Sequence, residues 1–184
     1  MGRTPDIVYA ELDDDQRRVY DAIVAGPRGQ VQGPLKVWLQ SAGLADRAQA
    51  LGAFCRFGTS LPPRLSELAI IVMGAHWRAG FEWFAHAPIA IKAGIDPAAV
   101  EAIRTGRAPQ LGKEDEAAVY VFARELLTTR AVSDATYQNA LAQLGKKAVV
   151  ELTGVLGYYG LISMTIKAFE VPLPEGTPDP FADV

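Results

Sequence analysis

The chain has 184 residues, 49% of them hydrophobic and 21% charged, and its 18 Lys and Arg against 21 Asp and Glu give a net charge of −3 at pH 7. This composition predicts a single domain over residues 1–184 with a substantial core, and it excludes a disordered, collagen-like or coiled-coil chain. Without a Lys- or Arg-rich run, no nucleic-acid partner is expected. A single cysteine, Cys55, excludes intrachain disulfides, CxxC redox chemistry and cysteine-based zinc sites.

The apolar runs and the amino-terminal stretch predict a cytoplasmic protein. The segment MGRTPDIVYAELDDD lacks a charged region followed by an apolar one, so no secretory signal is expected. The longest uninterrupted apolar stretch, residues 68–75, is much shorter than a membrane span. We therefore expect a cytoplasmic chain that does not contact a membrane.

Helical periodicity, punctuated by Gly, Pro and Asx residues, predicts an all-α bundle of about seven or eight helices. The first predicted elements are a helix over residues 13–25, an ordered Gly- and Pro-rich loop over 26–34, and a helix capped by Asp46 and closed by Gly58. This second helix is expected to turn its apolar side chains inward, namely Ala50, Leu51, Phe54 and Phe57. Pro62 and Pro63 begin a long helix to Trp77 that is apolar nearly all round, which is typical of a central helix.

A break is expected at residues 79–80, and helical patterns follow it over 81–92, 96–106, 114–129, 133–144 and 146–169. The last helix carries Gly154, Gly157 and Gly160, which allow close approach of another helix or a ligand. The tail, residues 171–184, contains four prolines. It is expected to be either a strap along the surface or disordered.

Both histidines lie in the stretch HWRAGFEWFAH, residues 76–86. Glu82 precedes His86 by four residues, so on a helix the two share one face within hydrogen-bonding reach. A carboxylate beside an imidazole raises the pKa of the imidazole and fixes its tautomer, as a general acid or base requires. Trp83 provides an apolar wall beside them. The other interpretation of this spacing is an ordinary pair on a partly exposed helix.

A further ionisable residue, Glu67, opens the most apolar helix. On one straight helix Glu67 and Glu82 would lie about 22 Å apart. If the chain reverses at residues 79–80, Glu67 and His86 are offset by about 7 Å along the hairpin, which a long side chain and a water can bridge. A Glu, Glu, His cluster suits proton transfer, with at least one raised carboxylate pKa. No metal is expected, because the paired Glu-x-x-His of di-metal bundles is absent.

Three other residues near this stretch have two or more interpretations each. His76 is either a second pocket residue or a satisfied core histidine. Arg78 pairs with Glu82, meets an anionic substrate, or joins a surface ion pair. Cys55 lies among aromatic residues and is interpreted as a small core residue rather than as a nucleophile.

The run SLPPRLSELAIIVMGAHWRAGFEWFAHAPIAIKAGI resembles the signature region of the carboxymuconolactone decarboxylase and alkylhydroperoxidase D-like (AhpD-like) superfamily. The flanking stretches GPLKVWLQSAGLADRAQALGAF, VSDATYQNALAQLG and VVELTGVLGYYGLISMTIKAFEVPLP resemble its longer members. The resemblance covers residues 26–174, with several blocks in the family's order. It implies an AhpD-like helical bundle that assembles as a homo-oligomer, a trimer or hexamer, with subunit contact expected at LTGVLGYYGL.

The resemblance distinguishes two branches of this superfamily. In the peroxidase branch a Glu, a CxxC pair and a His form a redox relay, and this chain keeps the Glu at Glu67 and the His at His86. Ala79 and Glu82 stand where the two cysteines would be. An AhpD-like peroxidase or peroxiredoxin-type oxidoreductase is therefore the alternative, since it would lack its thiol nucleophile. The decarboxylase branch, which lacks those cysteines, is the more similar one.

The resemblance to the decarboxylase branch implies a lyase that removes CO2 from 4-carboxymuconolactone, or from a related small carboxylated acid or lactone, in aromatic catabolism. No metal or organic cofactor is implied. His86 would donate the proton, with Glu82 orienting it and Glu67 a second acid or base. The implied substrate-binding residues are His76, Trp83 and Arg78, with Arg78 as a carboxylate anchor. A non-catalytic oligomeric small-molecule-binding protein is the remaining alternative. The stretch GPRGQVQGPLKVWL and the proline-rich tail are absent from the namesake enzymes.

Overall fold

In the computed structural model, which describes residues 2–4 and 6–184, all regular secondary structure of the described residues is helical. The α-helices are α1 (Asp14–Ala25), α2 (Pro34–Trp38), α3 (Ala42–Ala53), α4 (Pro63–Trp77), α5 (Gly80–Lys92), α6 (Pro97–Arg104), α7 (Glu114–Thr129), α8 (Asp134–Leu144) and α9 (Lys146–Phe169). A π-helical turn, Phe54–Gly58, continues α3. The all-α prediction is confirmed. The additional helix is the short α2, whose first residue is the last of the predicted loop.

The start of α3 differs from the prediction. This helix begins after Ser41, not at Asp46. The carboxylate of Asp46 faces α1 instead, where it accepts hydrogen bonds of 3.3 Å from the guanidinium of Arg18. Asp46 therefore joins two helices rather than capping one.

The inward face of α3 was also predicted wrongly. Leu51, Phe54 and Phe57 are 50%, 47% and 51% exposed. The buried face consists of small residues instead, among them Ala48 and Gly52. A Cβ added at Gly52 would overlap the Tyr158 hydroxyl group. Because α3 lies so close to α9, only small side chains fit between the two helices, and the large ones remain outside.

Helix α4 is the central helix, and its residues from Leu65 to Gly74 are all buried. It packs against α5, α7 and α9. The chain reverses at Arg78, which has a left-handed backbone (φ 48°), and α5 then runs back along α4. The predicted hairpin is therefore present.

Helix α9 is the second core helix. Its length and its mean hydropathy of 1.4 over 18 residues would suffice for a membrane span, which the search for uninterrupted apolar runs did not detect. However, 61% of that window is buried against the rest of the protein. Helix α9 therefore packs as a core helix of the bundle.

The proline-rich tail is an ordered strap. Phe181 is buried, and its ring meets Trp83 of α5 edge to face, with the centroids 5.4 Å apart. The guanidinium of Arg104 on α6 donates hydrogen bonds to the Pro180 carbonyl and the Asp183 carboxylate. Of the two predicted states of the tail, the strap is the one observed.

Candidate active site

The α4–α5 hairpin brings Glu67 and His86 into direct contact. Glu67 Oε2 lies 2.7 Å from His86 Nδ1, and each residue is 5% exposed. The sequence predicted an offset that a water would bridge, but the antiparallel packing of the helices closes this gap completely. Glu67, and not Glu82, is therefore the carboxylate that orients the imidazole.

The environment of His86 lowers the pKa of its imidazole, contrary to the prediction. Burial is the largest cause, because it disfavours the imidazolium. The hydrogen bond to Glu67 acts in the opposite direction but is outweighed, and the charges of Arg56 and Arg28 lower the pKa further. We therefore assign a neutral ring whose Nδ1–H donates to Glu67 and whose Nε2 is left as an acceptor.

Glu82 lies one turn before His86 but bonds elsewhere. The Ser163 hydroxyl of α9 donates to Glu82 Oε2 over 2.7 Å, and Oε1 has no hydrogen-bond partner among the described residues. Glu82 is 2% exposed. Burial raises the pKa of this carboxyl well above its usual range, and the bond from Ser163 only partly opposes the rise. Burial therefore favours the protonated carboxylic acid at Glu82, and the raised pKa is the one expected for a carboxylate of the cluster.

Two tyrosines of α9 complete the apolar side of the site. The Tyr159 ring stands edge-on to His86 with the centroids 5.1 Å apart, and Tyr158 stands edge-on to Tyr159 at 5.3 Å. Burial raises the pKa of Tyr158 to about 12 and that of Tyr159 well above its usual value. Both are therefore neutral phenols. They come from the segment predicted to form a subunit contact, but both are buried within the chain.

Arg28 and Arg56 line the cavity of His86, and sequence reasoning did not select either of them. Within residues 2–4 and 6–184, no carboxylate lies within ion-pair distance of either guanidinium. Arg28 Nη2 donates to the Tyr158 hydroxyl over 3.1 Å, while its Nε is buried and meets no acceptor among the residues that the structure describes. The two guanidinium groups bring two positive charges to the lining of this cavity. The one sequence feature that could have indicated Arg28 is its position in a Gly- and Pro-rich loop.

The cavity beside His86 is small, with a volume of about 60 Å³. It lies between the loop before α2, the π-helical turn, α5 and α9. Its lining residues are Arg28, Gln30, Gln32, Pro34, Leu35, Arg56, Phe81, Glu82, Ala85, His86, Tyr158, Tyr159 and Ile162.

The three predicted substrate-binding residues do not line this cavity. His76 and Arg78 lie at the other end of α4, about 14 Å along the helix from Glu67. There they line a separate cleft of about 200 Å³ together with Arg104, Arg107 and Arg124. Trp83 faces the tail instead. The prediction assigned these residues to the site because they are close to it in sequence. Their side chains point elsewhere, because their directions depend on the turn at Arg78 and on the position of the tail.

Cys55 is buried, and burial raises the pKa of its thiol, which disfavours the thiolate. In the part of the chain that the structure describes, no group of three or more His, Cys, Asp or Glu side chains could hold a metal ion. The site contains proton-transfer groups and arginines.

No protein-family model matches the sequence, and no curated protein matches it. Solved structures do match. An uncharacterized peroxidase-related protein from Ralstonia eutropha JMP134, described as an alkylhydroperoxidase AhpD core, has a TM-score of 0.74 and 14% identity, over 98% of this chain and 94% of that one. A peroxidase-related protein from Silicibacter sp. TM1040 has a TM-score of 0.70 and 14% identity, over 88% of this chain and 86% of that one.

The debrominase Bmp8 is similar as well, with a TM-score of 0.72 and 13% identity over 92% of this chain and 91% of its own. The chain therefore has the AhpD-like fold, and the fold expected from the resemblance is confirmed. At these identities the likeness shows the fold alone, because one fold supports different reactions.

Proposed function

We propose that this chain is a cofactor-independent carbon–carbon lyase of the carboxymuconolactone decarboxylase type, which removes CO2 from a small carboxylated lactone or related acid. The observation that carries the proposal is the buried Glu67–His86 pair, 2.7 Å apart, in a cavity that two arginines without carboxylate partners face. General acid–base groups and an anion site are what such a decarboxylation requires.

The reaction on 4-carboxymuconolactone illustrates the roles. The bond from the ring carbon to the departing carboxylate breaks, and its electron pair moves through the conjugated C=C bond into the lactone carbonyl. The dienolate so formed takes up one proton at carbon, which gives the enol-lactone. Arg28 and Arg56 hold the second carboxylate of this substrate by charge-assisted hydrogen bonds.

The proton comes from Glu82, which is neutral before the reaction. Loss of this proton leaves a buried carboxylate, an unfavourable state that favours reprotonation. His86 Nε2 takes a proton from solvent, Glu67 balances the transient imidazolium, and the proton passes back to Glu82 one turn away. This proposal replaces His86 by Glu82 as the direct donor, because burial raises the pKa of the Glu82 carboxyl and lowers that of the His86 imidazole.

The test is CO2 release from 4-carboxymuconolactone by the purified chain. His86→Ala is expected to lower kcat at least about a hundredfold, the usual contribution of a positioned acid or base. His76→Ala, the matched control, removes the other histidine and is expected to leave turnover unchanged. Unchanged turnover in His86→Ala would contradict the assigned site, and no release from the wild type would contradict the reaction.

The likeness to peroxidase-related proteins favours a second candidate, a hydroperoxide-consuming oxidoreductase. Cys55 is the only thiol available to such a reaction. Hydroperoxide consumption by the wild type and by Cys55→Ser tests whether the chain uses thiol chemistry. Activity that disappears in the variant supports thiol chemistry. Activity that survives excludes it.

We further propose that the chain acts as a homo-oligomer in the cytoplasm. The supporting observation is exposed apolar surface on α3 and α9, including Val150 and Met164 on the predicted contact helix.

A further inference from the structure

A second, larger cavity lies beside the cavity of His86. We call it the outer groove, and its volume is about 710 Å³. It lies between the amino-terminal arm, the start of α2, one residue of α5 and the tail strap. Its lining residues are Gly2, Thr4, Asp6, Gln32, Gly33, Lys36, Val37, Phe81, Phe169, Val171, Pro172, Leu173, Pro174 and Glu175.

The outer groove adjoins the cavity of His86. Gln32 and Phe81 line both of them, so these two side chains form the wall between the two spaces. The Phe81 ring packs directly over Gly33, whose backbone is left-handed (φ 53°), and a Cβ at Gly33 would overlap the ring. Glycine at this position therefore allows the aromatic wall to stand where it does.

Size indicates that the two spaces serve one ligand. A volume of about 60 Å³ holds a few waters, whereas small-molecule sites usually measure about 300–1,000 Å³. The outer groove, at about 710 Å³, lies in that range. The cavity of His86 can therefore hold the reacting end of a substrate but not the rest of it. The rest of the substrate would lie in the outer groove, which adjoins this cavity.

The two spaces differ in chemistry. The outer groove is bordered largely by apolar side chains such as Val37, Phe169 and Leu173. Its cation, Lys36, is matched by Asp6, with Nζ and Oδ1 2.9 Å apart. The unmatched positive charge is at the inner end. This arrangement fits a molecule with an anionic end and an apolar remainder.

Resting on the proposed function, we infer that the substrate is a carboxylic acid with an apolar or aromatic extension, held with its carboxylate at Arg28 and Arg56 and its extension in the outer groove past Phe81. The stretch before α2 supplies Arg28, Gln32 and Gly33, and the proline-rich tail supplies one wall.

The experiment measures binding by calorimetry to the full chain, with phenylacetate, 4-phenylbutyrate and 6-phenylhexanoate as probes. Affinity is expected to rise about fourfold per added methylene, as burial of a CH2 group predicts, until the groove is filled. The matching uncharged amides should bind more weakly than each acid, because they lack the charge that the arginines attract.

Leu173→Trp fills the outer groove and is expected to abolish the gain in affinity with chain length. Ala182→Trp, in the same tail but outside the groove, is the matched control and should keep the gain. If Leu173→Trp does not fold, Thr4→Trp fills the groove from the amino-terminal arm and gives the same test.

Affinity that does not depend on chain length in the wild type overturns the inference, and so does an equal gain in the two tail variants. These readouts are independent of turnover. A chain-length effect without CO2 release contradicts the proposed reaction and leaves the groove assignment standing. CO2 release without a chain-length effect contradicts the groove assignment alone.

Discussion

Three ionisable side chains of the α4–α5 hairpin, Glu67, Glu82 and His86, are buried together in the candidate site. Their hydrogen bonds assign different roles to them. Glu67 holds the imidazole of His86, whereas Glu82 bonds to Ser163 and keeps one oxygen without a partner among the described residues. A neutral acid with an unused oxygen can give its proton to a ligand, which is the chemistry that the proposed decarboxylation needs.

Glu82→Gln is expected to stabilise the protein at alkaline pH. The pKa of Glu82 in the folded state lies above the ordinary value of 4.5, so the folded state binds the extra proton. Stability is therefore lost as the pH rises from the unfolded pKa through the folded pKa. Gln keeps the shape of the neutral acid without ionising. We expect a Tm about 2–4 °C higher at pH 8, the effect of ~1 kcal/mol in a chain of this size, and a smaller gap at pH 5.

Calorimetry at pH 5 and pH 8 measures the Tm of Glu82→Gln and of the wild type. The control is Glu11→Gln, which alters an exposed carboxylate and should leave the Tm unchanged at both pH values. Turnover should fall at least about a hundredfold in Glu82→Gln, because an amide cannot deliver the proton. A Tm difference that is equal at pH 5 and pH 8 would refute the raised pKa.

Among the elements, the contact of α3 with α9 positions the two arginines of the candidate site. Arg28 reaches the Tyr158 hydroxyl of α9 past Gly52 of α3. The π-helical turn that continues α3 carries Arg56. The position of both guanidinium groups therefore depends on how closely these two helices approach.

Gly52→Ala is expected to destabilise the protein by about 1–3 kcal/mol, the usual cost of overpacking, although Ala is the better helix former. The added methyl group would overlap both the Tyr158 hydroxyl and the Arg28 guanidinium. Gly43→Ala on the same helix is the matched control, because its Cβ would meet nothing closer than an Arg47 nitrogen at 3.8 Å. Urea denaturation measures both variants. Equal stability of the two would refute the tight α3–α9 contact.

In the molecule as a whole, two neighbouring parts carry several exposed apolar side chains each. Leu51, Phe54 and Phe57 are exposed on α3 and its π-helical turn, and Val150 and Met164 are exposed on α9, which packs beside them. Large apolar side chains that are exposed on adjoining elements favour a protein–protein contact. They are the side chains that the proposed homo-oligomer would bury.

The wild type is expected to sediment as an oligomer, and the double variant Phe54→Ser with Phe57→Ser is expected to sediment as a smaller species. Removing two exposed aromatic rings weakens an apolar contact without opening the core. Tyr137→Ser, which alters an exposed ring on α8, is the control that should leave the assembly unchanged. A wild type that sediments as a monomer would contradict the proposal.

Sequence patterns alone predicted the helical class, most helix boundaries, the reversal near residue 79 and the cluster of Glu67, Glu82 and His86. These features follow from local rules, since apolar period, capping residues and turn residues act within a few positions of one another. The motif resemblance likewise predicted the AhpD-like fold that the solved structures share.

Which of these side chains contact one another depends on the packing of the helices. His86 bonds to Glu67 across the hairpin rather than to its neighbour Glu82, and Arg28 and Arg56 reach the site from distant segments. His76, Arg78 and Trp83 face other surfaces, although they lie close to the site in sequence. Periodicity indicates which face of a helix is apolar, but helix-to-helix distance and side-chain direction depend on how the whole bundle packs.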